Sequence, residues 1–200
     1  MNTLLYITAS LFGEAGQSSR LGADLVDAIV AARPGTRVLR RDLAADPVPH
    51  LDGARFAAFT TAPAERDAGQ RAAVALSDAL IAEWRAADRV VIGLPLYNLG
   101  VPSTFKAYID HLARAGETFR YTAEGPVGLL QDRKVQVVAT RGGIYRGTPL
   151  DTQSDYVRHI LGLMGIRDVE FIHVEGLNMG PEVAGDALRD ARATIQQQAA

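Results

Sequence analysis

The sequence contains no cysteine, so the protein forms no disulfide and has no thiolate nucleophile or zinc–thiolate site. It also lacks an apolar run of the roughly 18 residues that mark a transmembrane helix. The first residues carry no Lys or Arg ahead of their short apolar run, which matches a signal peptide poorly. These absences predict a cytoplasmic protein that does not enter the membrane.

No charge of one sign dominates the chain either. A formal net charge of −2 gives no electrostatic reason to expect nucleic acid or an anionic membrane as a partner. The four histidines stand far apart, without the spacing of a metal-binding motif, so no metal site is predicted. The Gly-x-Ser-x-Gly motif is absent, which leaves an α/β-hydrolase nucleophile unsupported.

Strand-like apolar runs alternate with segments of helical period along the chain. Strands are predicted at residues 3–8, 36–42, 89–94, 134–140 and 168–175, and helices at 18–32, 53–59, 68–87, 103–113, 151–165 and 181–198. Residues 114–130 fit neither pattern and are expected to be irregular. Five strand–helix units with short connections require a parallel sheet with helices on both faces. We expect one α/β domain spanning residues 1–200, flavodoxin-like, with strand order 2-1-3-4-5.

In that order, the loops after strands one, three and four converge where the strand order reverses. The first loop carries Ser10, Gly16, Gln17 and Ser18 and leads into a helix N-terminus, which favours an anion. It matches neither the dinucleotide nor the triphosphate glycine motif, so a single terminal phosphate is the best fit. Taken alone, Ser18 is better explained as a helix cap, and only the other two loops favour a phosphate contact.

The second and third loops suit a flat ring. The second consists of Pro95, Leu96, Tyr97, Asn98 and Leu99. Because proline lacks an N–H and fixes φ, this exit from the strand is expected to be open and to leave backbone amides unpaired.

The third loop consists of Thr140, Arg141, Gly142 and Gly143. Adjacent glycines let the backbone approach a flat ligand closely and present consecutive N–H donors. Together the three loops predict a site for a planar ring with a phosphate tail, and FMN has that shape.

The combined motifs resemble those of the FMN-dependent NADH:quinone oxidoreductases that also reduce azo dyes. The matching segments run through nearly the whole chain: Ser10 with Gln17-Ser18, Pro95-Leu-Tyr-Asn98 with Pro102, Ala113-Arg-Ala-Gly116, Thr118-Phe-Arg-Tyr-Thr122, Gly125-Pro126, Arg141-Gly-Gly143, Val174-Glu-Gly176 and Gly180-Pro-Glu182. Departures occur where the family often has other residues: Gly16 replaces Ser, Leu96 and Leu99 replace Met and Phe, and Tyr145 replaces His.

The resemblance implies that FMN is bound, with its phosphate on the first loop and its ring between the other two. It implies NADH or NADPH as donor of hydride to flavin N5, and a quinone or azo compound as acceptor. Backbone N–H groups of Gly142 and Gly143 would stabilise the reduced ring at its N1–O2 edge. No side chain is assigned as catalytic, because the acceptor can be protonated from water.

The resemblance further implies a homodimer. Residues 118–128, an aromatic segment that taken alone could be a plain hairpin, would reach over the flavin at the subunit interface. Phe119, Tyr121 and Tyr145 would then line the acceptor pocket. If donor and acceptor occupy the same flavin face in turn, the kinetics are ping-pong.

Two alternative functions remain open from the sequence. A flavodoxin-type electron carrier would exchange single electrons with protein partners, but such carriers are usually strongly acidic and this chain is not. An FMN-binding regulator without turnover is the other alternative.

Overall fold

The computed structural model describes residues 2–199. The strands are β1 (Thr3–Thr8), β2 (Arg37–Asp42), β3 (Arg89–Pro95), β4 (Phe119–Thr122), β5 (Gly125–Gly128), β6 (Lys134–Thr140) and β7 (Val169–Val174). The helices are α1 (Gln17–Ala32), α2 (Gly53–Thr60), α3 (Ala68–Ala86), α4 (Ser103–Leu112), α5 (Thr152–Leu163) and α6 (Pro181–Gln198). Every predicted strand and helix is present, each ending within two residues of its expected bounds.

Five strands form one parallel sheet in the order β2-β1-β3-β6-β7. The predicted five-stranded parallel sheet is therefore confirmed. The numbering 2-1-3-4-5 does not stand as written, because β4 and β5 precede the last two strands of the sheet in the sequence. The polar strand β2 lies at the edge of the sheet, where one side of a strand stays close to solvent.

Apolar layers cover both faces of the sheet, because successive residues of a strand point to opposite sides. One layer packs between the sheet and helices α3, α4 and α5; it includes Leu5, Ile92, Trp84, Tyr108 and Val157. The other packs against α1 and α6; it includes Leu4, Val91, Leu25, Ile29 and Ile195. Strands buried on both faces read as continuous apolar runs, which is why β1 and β3 were recognisable in the sequence.

The expectation of an irregular segment at residues 114–130 is wrong. Strands β4 and β5 pair there as an antiparallel hairpin, with Tyr121 opposite Pro126. Strands of four residues are too short for a clear periodic signal. The hairpin is fixed to the end of α5, where Leu130 N–H donates to the Met164 carbonyl at 3.0 Å. A Cβ on Gly128 would lie 2.1 Å from the Gly165 nitrogen, so this approach requires glycine.

Within residues 2–199, no helix combines the length and apolarity needed to cross a bilayer. The same part of the chain holds no group of three His, Asp or Glu side chains placed to share a metal ion. The cytoplasmic location stays a prediction.

Candidate functional site

A cleft of about 370 Å³ opens at the carboxyl edge of the sheet, where β1, β3 and β6 are neighbours. The structure brings most of the predicted cofactor residues together along its walls: Ser10, Gly16, Gln17, Ser18, Pro95, Leu96, Tyr97, Thr140, Arg141 and Gly142. Asn98, Leu99 and Gly143 belong to the same loops but lie outside the lining of the cleft.

Helix α1 begins in the cleft without a side-chain cap. Its N-cap residue is Gly16, which has no side chain that could accept from the helix. The first N–H groups of the helix are therefore left for another acceptor. Ser18 is the second helical residue, which makes the helix-cap explanation of this serine wrong. Its side chain is 1% exposed, and its Oγ has no hydrogen-bond partner among residues 2–199. A buried hydroxyl beside free helical N–H groups fits an anionic ligand such as phosphate.

The first loop depends on the small size of Gly16. A Cβ at this position would lie 2.1 Å from Ser10 Oγ and 2.6 Å from Ser10 Cβ. Ser10 in turn is buried, and its Oγ accepts from the Phe12 N–H at 3.2 Å. In this chain, therefore, glycine rather than serine stands at position 16 because Ser10 occupies the space that a side chain there would need.

The second loop is closed, which corrects the expectation of an open strand exit. Tyr97 and Gly100 exchange backbone hydrogen bonds of 3.0 and 2.9 Å, and Leu96 N–H donates to the Thr140 carbonyl at 2.9 Å. Between them Asn98 and Leu99 have positive φ angles of 49° and 60°, as the central residues of a type I′ turn do. Backbone strain of about 1–3 kcal/mol is the cost of a leucine with a positive φ angle, and residues strained in this way are typical of functional sites.

Tyr97 joins the second loop to the first. Its hydroxyl accepts from the Leu11 N–H at 3.2 Å and lies 3.5 Å from Ser10 Oγ. The predicted ring loop and the predicted phosphate loop are therefore fastened to each other by one side chain.

The third loop presents backbone donors. The carbonyls of Gly142 and Gly143 accept from Asn178 at 2.9 Å and from Gly176 at 3.0 Å. The N–H groups of these two glycines have no acceptor within residues 2–199. A Cβ on Gly142 would lie 2.6 Å from Asn178 Nδ2, so the glycine admits the asparagine at the edge of the cleft. Paired free N–H groups next to a cleft fit the polar edge of a flat ring.

The side chain of Arg141 does not serve the cleft. Its guanidinium is fully buried and pairs with Asp151 at 2.6 Å and with Glu175 at 3.1 Å. Its backbone N–H and carbonyl bond Val174 and Leu177. Arg141 lines the cleft, and its assignment to the ligand stays a prediction; its side chain fixes the loop.

Two titratable groups beside Arg141 have shifted pKa values. Burial alone would raise the pKa of Asp151, but hydrogen bonds from Arg141 and Ser154 outweigh it and lower that pKa below 3.8. Burial lowers the pKa of His173 below 6.5, and the positive charges of Arg141 and Arg146 add to this effect. The cluster thus holds an ionised carboxylate and a neutral imidazole at neutral pH.

Of the three predicted acceptor residues, Tyr145 lies on the third loop, whereas Phe119 and Tyr121 lie together on the hairpin. Tyr145 folds over the third loop, since a Cβ on Gly143 would lie 2.8 Å from its hydroxyl. Phe119 is buried in the hairpin with its ring 5.4 Å from that of Tyr121, which is 75% exposed. The hairpin contacts the end of α5, whereas the start of α5 contacts the second loop through Thr152 and Leu99. Phe119 and Tyr121 therefore lie away from the cleft of their own chain.

Sequence reasoning missed several residues that line the cleft: Phe12, Leu177, Asn178, Ala184 and Leu188. Most of them come from the connection after β7 and from α6. That connection adjoins the site because β7 is the neighbour of β6. Its two flanking motifs, Val174-Glu-Gly176 and Gly180-Pro-Glu182, were a signal that could have located Leu177 and Asn178.

A family model described as "Flavodoxin-like fold" matches residues 2–199. The FMN-dependent NADH:quinone oxidoreductase of Cellvibrio japonicus is 50% identical over 200 residues, which cover 100% of both chains. The protein of the same name from Alcanivorax borkumensis is 52% identical over 192 residues, 96% of this chain and 97% of the relative. The crystal structure of an azoreductase from Bacillus anthracis superimposes with a TM-score of 0.91 at 31% identity, covering 100% of this chain and 99% of that one.

Proposed function

Because this chain belongs to the flavodoxin-like family of FMN-dependent NADH:quinone oxidoreductases and azoreductases, we propose that it uses FMN to reduce quinones and aromatic azo compounds with NADH or NADPH. Membership confirms the resemblance predicted from the motifs, and with it an FMN-dependent enzyme. The observation that carries the proposal is that one cleft is lined both by Ser18, whose buried hydroxyl has no partner among residues 2–199, and by Gly142, whose backbone N–H is free.

The residues of the cleft fit FMN. The start of α1 and the Ser18 hydroxyl would hold the phosphate, and the absence of a Cβ at Gly16 keeps the approach open. The second and third loops would hold the ring, with Leu96 and Tyr97 on one side and Thr140 and Gly142 on the other. Bound FMN would supply the chemistry, by taking a hydride from the nicotinamide and giving two electrons to the acceptor.

The protein's part is to position the flavin ring and the substrate and to exclude water from them. The N–H groups of Gly142 and Gly143 are fixed donors that would favour negative charge at the ring edge. Exposed apolar side chains would offer a surface for a flat substrate: Phe12, which lines the cleft, is 72% exposed, and Ile144 and Met179, which follow lining residues in the sequence, are 58% and 53% exposed. No side chain is assigned to proton transfer, and the acceptor takes its protons from water.

We propose further that donor and acceptor use the cleft in turn. The chain offers no second nucleotide-binding motif that would hold both at once. Initial rates measured at several NADH and soluble benzoquinone concentrations should give parallel double-reciprocal lines. Intersecting lines would contradict this shared use of one site.

A homodimer completes the proposal. Tyr121, Val127 and Leu129 are exposed on the hairpin and the loop that follows it, away from the cleft of their own chain. In the proposed dimer they would cover the cleft of the second copy. Contiguous exposed apolar residues of this kind mark interaction surfaces.

The experiment that tests the function has two steps. Flavin released from the purified protein should be identified by mass as FMN, about one per chain, and the FMN-loaded protein should oxidise NADH with a soluble quinone. FMN without turnover would favour the electron carrier or the regulator, and FAD or no flavin after reconstitution would overturn the assignment.

A further inference from the structure

A buried charge cluster lies behind the third loop. Arg141 Nη1 donates to Glu175 Oε1 at 3.1 Å, while Nη2 donates to Asp151 Oδ1 at 2.6 Å and to Ser154 Oγ at 2.9 Å. The Arg141 side chain has no exposed surface, so none of these bonds serves a ligand directly. Desolvation offsets much of the attraction in a buried ion pair, which makes stability alone a weak explanation for the cluster.

Glu175 is the connection between this cluster and the loop. The same Oε1 that accepts from Arg141 also accepts from the backbone N–H groups of Tyr145 at 2.8 Å and Arg146 at 2.9 Å. Its side chain is 13% exposed, so water competes little for this oxygen. One carboxylate oxygen therefore fastens both the beginning and the end of the loop at residues 141–146.

The middle of the loop is fixed through its carbonyls. Those of Arg141, Gly142 and Gly143 accept from the backbone N–H groups of Leu177 at 3.1 Å, Asn178 at 2.9 Å and Gly176 at 3.0 Å, in that order. In a planar trans peptide, a carbonyl and the N–H that follows it point in opposite directions.

It follows that three successive N–H groups, those of Gly142, Gly143 and Ile144, point away from the segment at residues 176–178. None of the three has an acceptor within residues 2–199. The loop is thus a row of free donors whose direction is set by its attachments on the other side.

We propose that Glu175, held by Arg141, is a positioning residue: it fixes the loop so that the N–H groups of Gly142 and Gly143 face the FMN ring and favour its reduced form. This inference rests on the proposed placement of the ring in this cleft. Reduced FMN carries more negative charge than oxidised FMN, and donors that are already oriented stabilise the charged form more.

The test compares the affinities of oxidised and reduced FMN, together with the midpoint potential of bound FMN, in purified variants. Glu175→Ala should weaken the binding of reduced FMN about tenfold more than that of oxidised FMN, the factor expected when a hydrogen bond to a charged group is lost. For a two-electron couple, a tenfold difference lowers the potential by about 30 mV. Glu175→Gln keeps an acceptor for the two loop N–H groups and should give a smaller fall, about threefold.

Two control variants separate positioning from other effects. Asp151→Asn removes a charge that touches Arg141 but no N–H group of residues 141–146, so it should lower the melting temperature without lowering the potential. Glu170→Gln, on the same strand β7 but paired with Lys134 at the surface, should change neither quantity.

The direction in which the midpoint potential changes distinguishes a displaced loop from the simple loss of a charge. Loss of a negative charge by itself raises the potential of a nearby flavin, whereas a displaced loop lowers it. A raised or unchanged potential in both Glu175 variants would overturn the inference, and so would an equal fall in Asp151→Asn. These measurements use no donor or acceptor substrate. Failure of the proposed function would instead appear as absent FMN binding or absent turnover in the unaltered protein.

Discussion

At the residue scale, neighbouring serines on α1 have different surroundings. Ser18 and Ser19 are both buried, and neither hydroxyl has a partner within residues 2–199. Only Ser18 lines the cleft, because successive helical residues are turned by about 100° around the helix axis. This pair offers a matched comparison of a hydroxyl in the cleft with one outside it.

Ser18→Ala should weaken FMN binding by roughly 10- to 150-fold, the range for a lost hydrogen bond to a charged group. The apo-protein should be equally stable or slightly more stable, because Ser18 caps nothing and its buried hydroxyl is unpaired. Titration of apo-protein with FMN and thermal unfolding measure the two effects. Ser19→Ala is the control and should leave FMN affinity unchanged; equal losses in both variants would contradict a specific phosphate contact.

His173 should make stability depend on pH. Its side chain lies 3.1 Å from Ser154 Oγ and stacks on Phe171 at 5.3 Å, and its pKa is lowered in the folded state. In the unfolded chain the His173 imidazole is protonated as the pH falls below 6.5, whereas in the folded chain its protonation requires a lower pH. The contribution of His173 is therefore complete above pH 6.5 and is lost as the pH falls.

Urea unfolding at pH 7.5, 6.5 and 5.5 checks this expectation. His173→Gln should flatten the fall in the free energy of unfolding over this range. The lowered pKa of Asp151 acts in a separate window, below pH 3.8, and does not interfere. His159→Gln, which makes the same replacement at an exposed histidine on α5, is the control variant. If His173→Gln and the unaltered protein give the same slope, another group controls the dependence.

At the scale of elements, the position of α1 depends on a glycine in β3. A Cβ on Gly93 would lie 2.7 Å from the Ser18 carbonyl oxygen, which is backbone and cannot rotate away. The close contact of α1 with β3 brings the first turn of the helix to the carboxyl edge of the sheet. The phosphate end of the cleft is therefore set by helix-on-strand packing as much as by the loop itself.

Gly93→Ala should push the start of α1 away from the sheet. Crowding of a packed core costs about 1–3 kcal/mol, and FMN affinity should fall as the helical N–H groups move. Gly162→Ala on α5 is the matched control, because a Cβ there meets nothing within 4 Å. It should stabilise the protein by about 0.5–1 kcal/mol and leave FMN binding unchanged. Normal FMN affinity in Gly93→Ala would contradict the claim that the packing of α1 on β3 sets the phosphate end of the cleft.

At the scale of the whole molecule, the hairpin of β4 and β5 carries an exposed aromatic surface that lies away from the cleft of its own chain. Light scattering should therefore find a dimer, in which each hairpin covers the cleft of the other copy. Tyr121→Ala should raise the KM for the quinone with little change in FMN content, since this side chain is 75% exposed and is not part of the lining of its own cleft. Tyr121→Phe keeps the ring and should behave as the unaltered protein.

Two outcomes would contradict this arrangement. A fully active monomer would exclude any need for a second copy. A loss of FMN content in Tyr121→Ala, without a change in KM, would place the hairpin's influence on the cofactor rather than on the acceptor.

The sequence by itself determined the five strands of the parallel sheet, the helices and the family of this protein. Apolar runs and helical periods are local signals, and they located every long element to within two residues. The motifs of three loops likewise pointed to one cleft, because parallel strands place their carboxyl ends at a common edge.

Only the tertiary structure decided what individual side chains do there. The burial of Arg141 between Asp151 and Glu175, the fit of Gly16 over Ser10, and the part played by Asn178 depend on segments far apart in the chain. From the sequence, the short hairpin at residues 118–128 was only an alternative to an irregular segment, for a related reason: its strands are held by pairing with each other and by contact with α5, and neither leaves a periodic pattern in the sequence. Distances between remote residues are set by packing, which local sequence patterns do not encode.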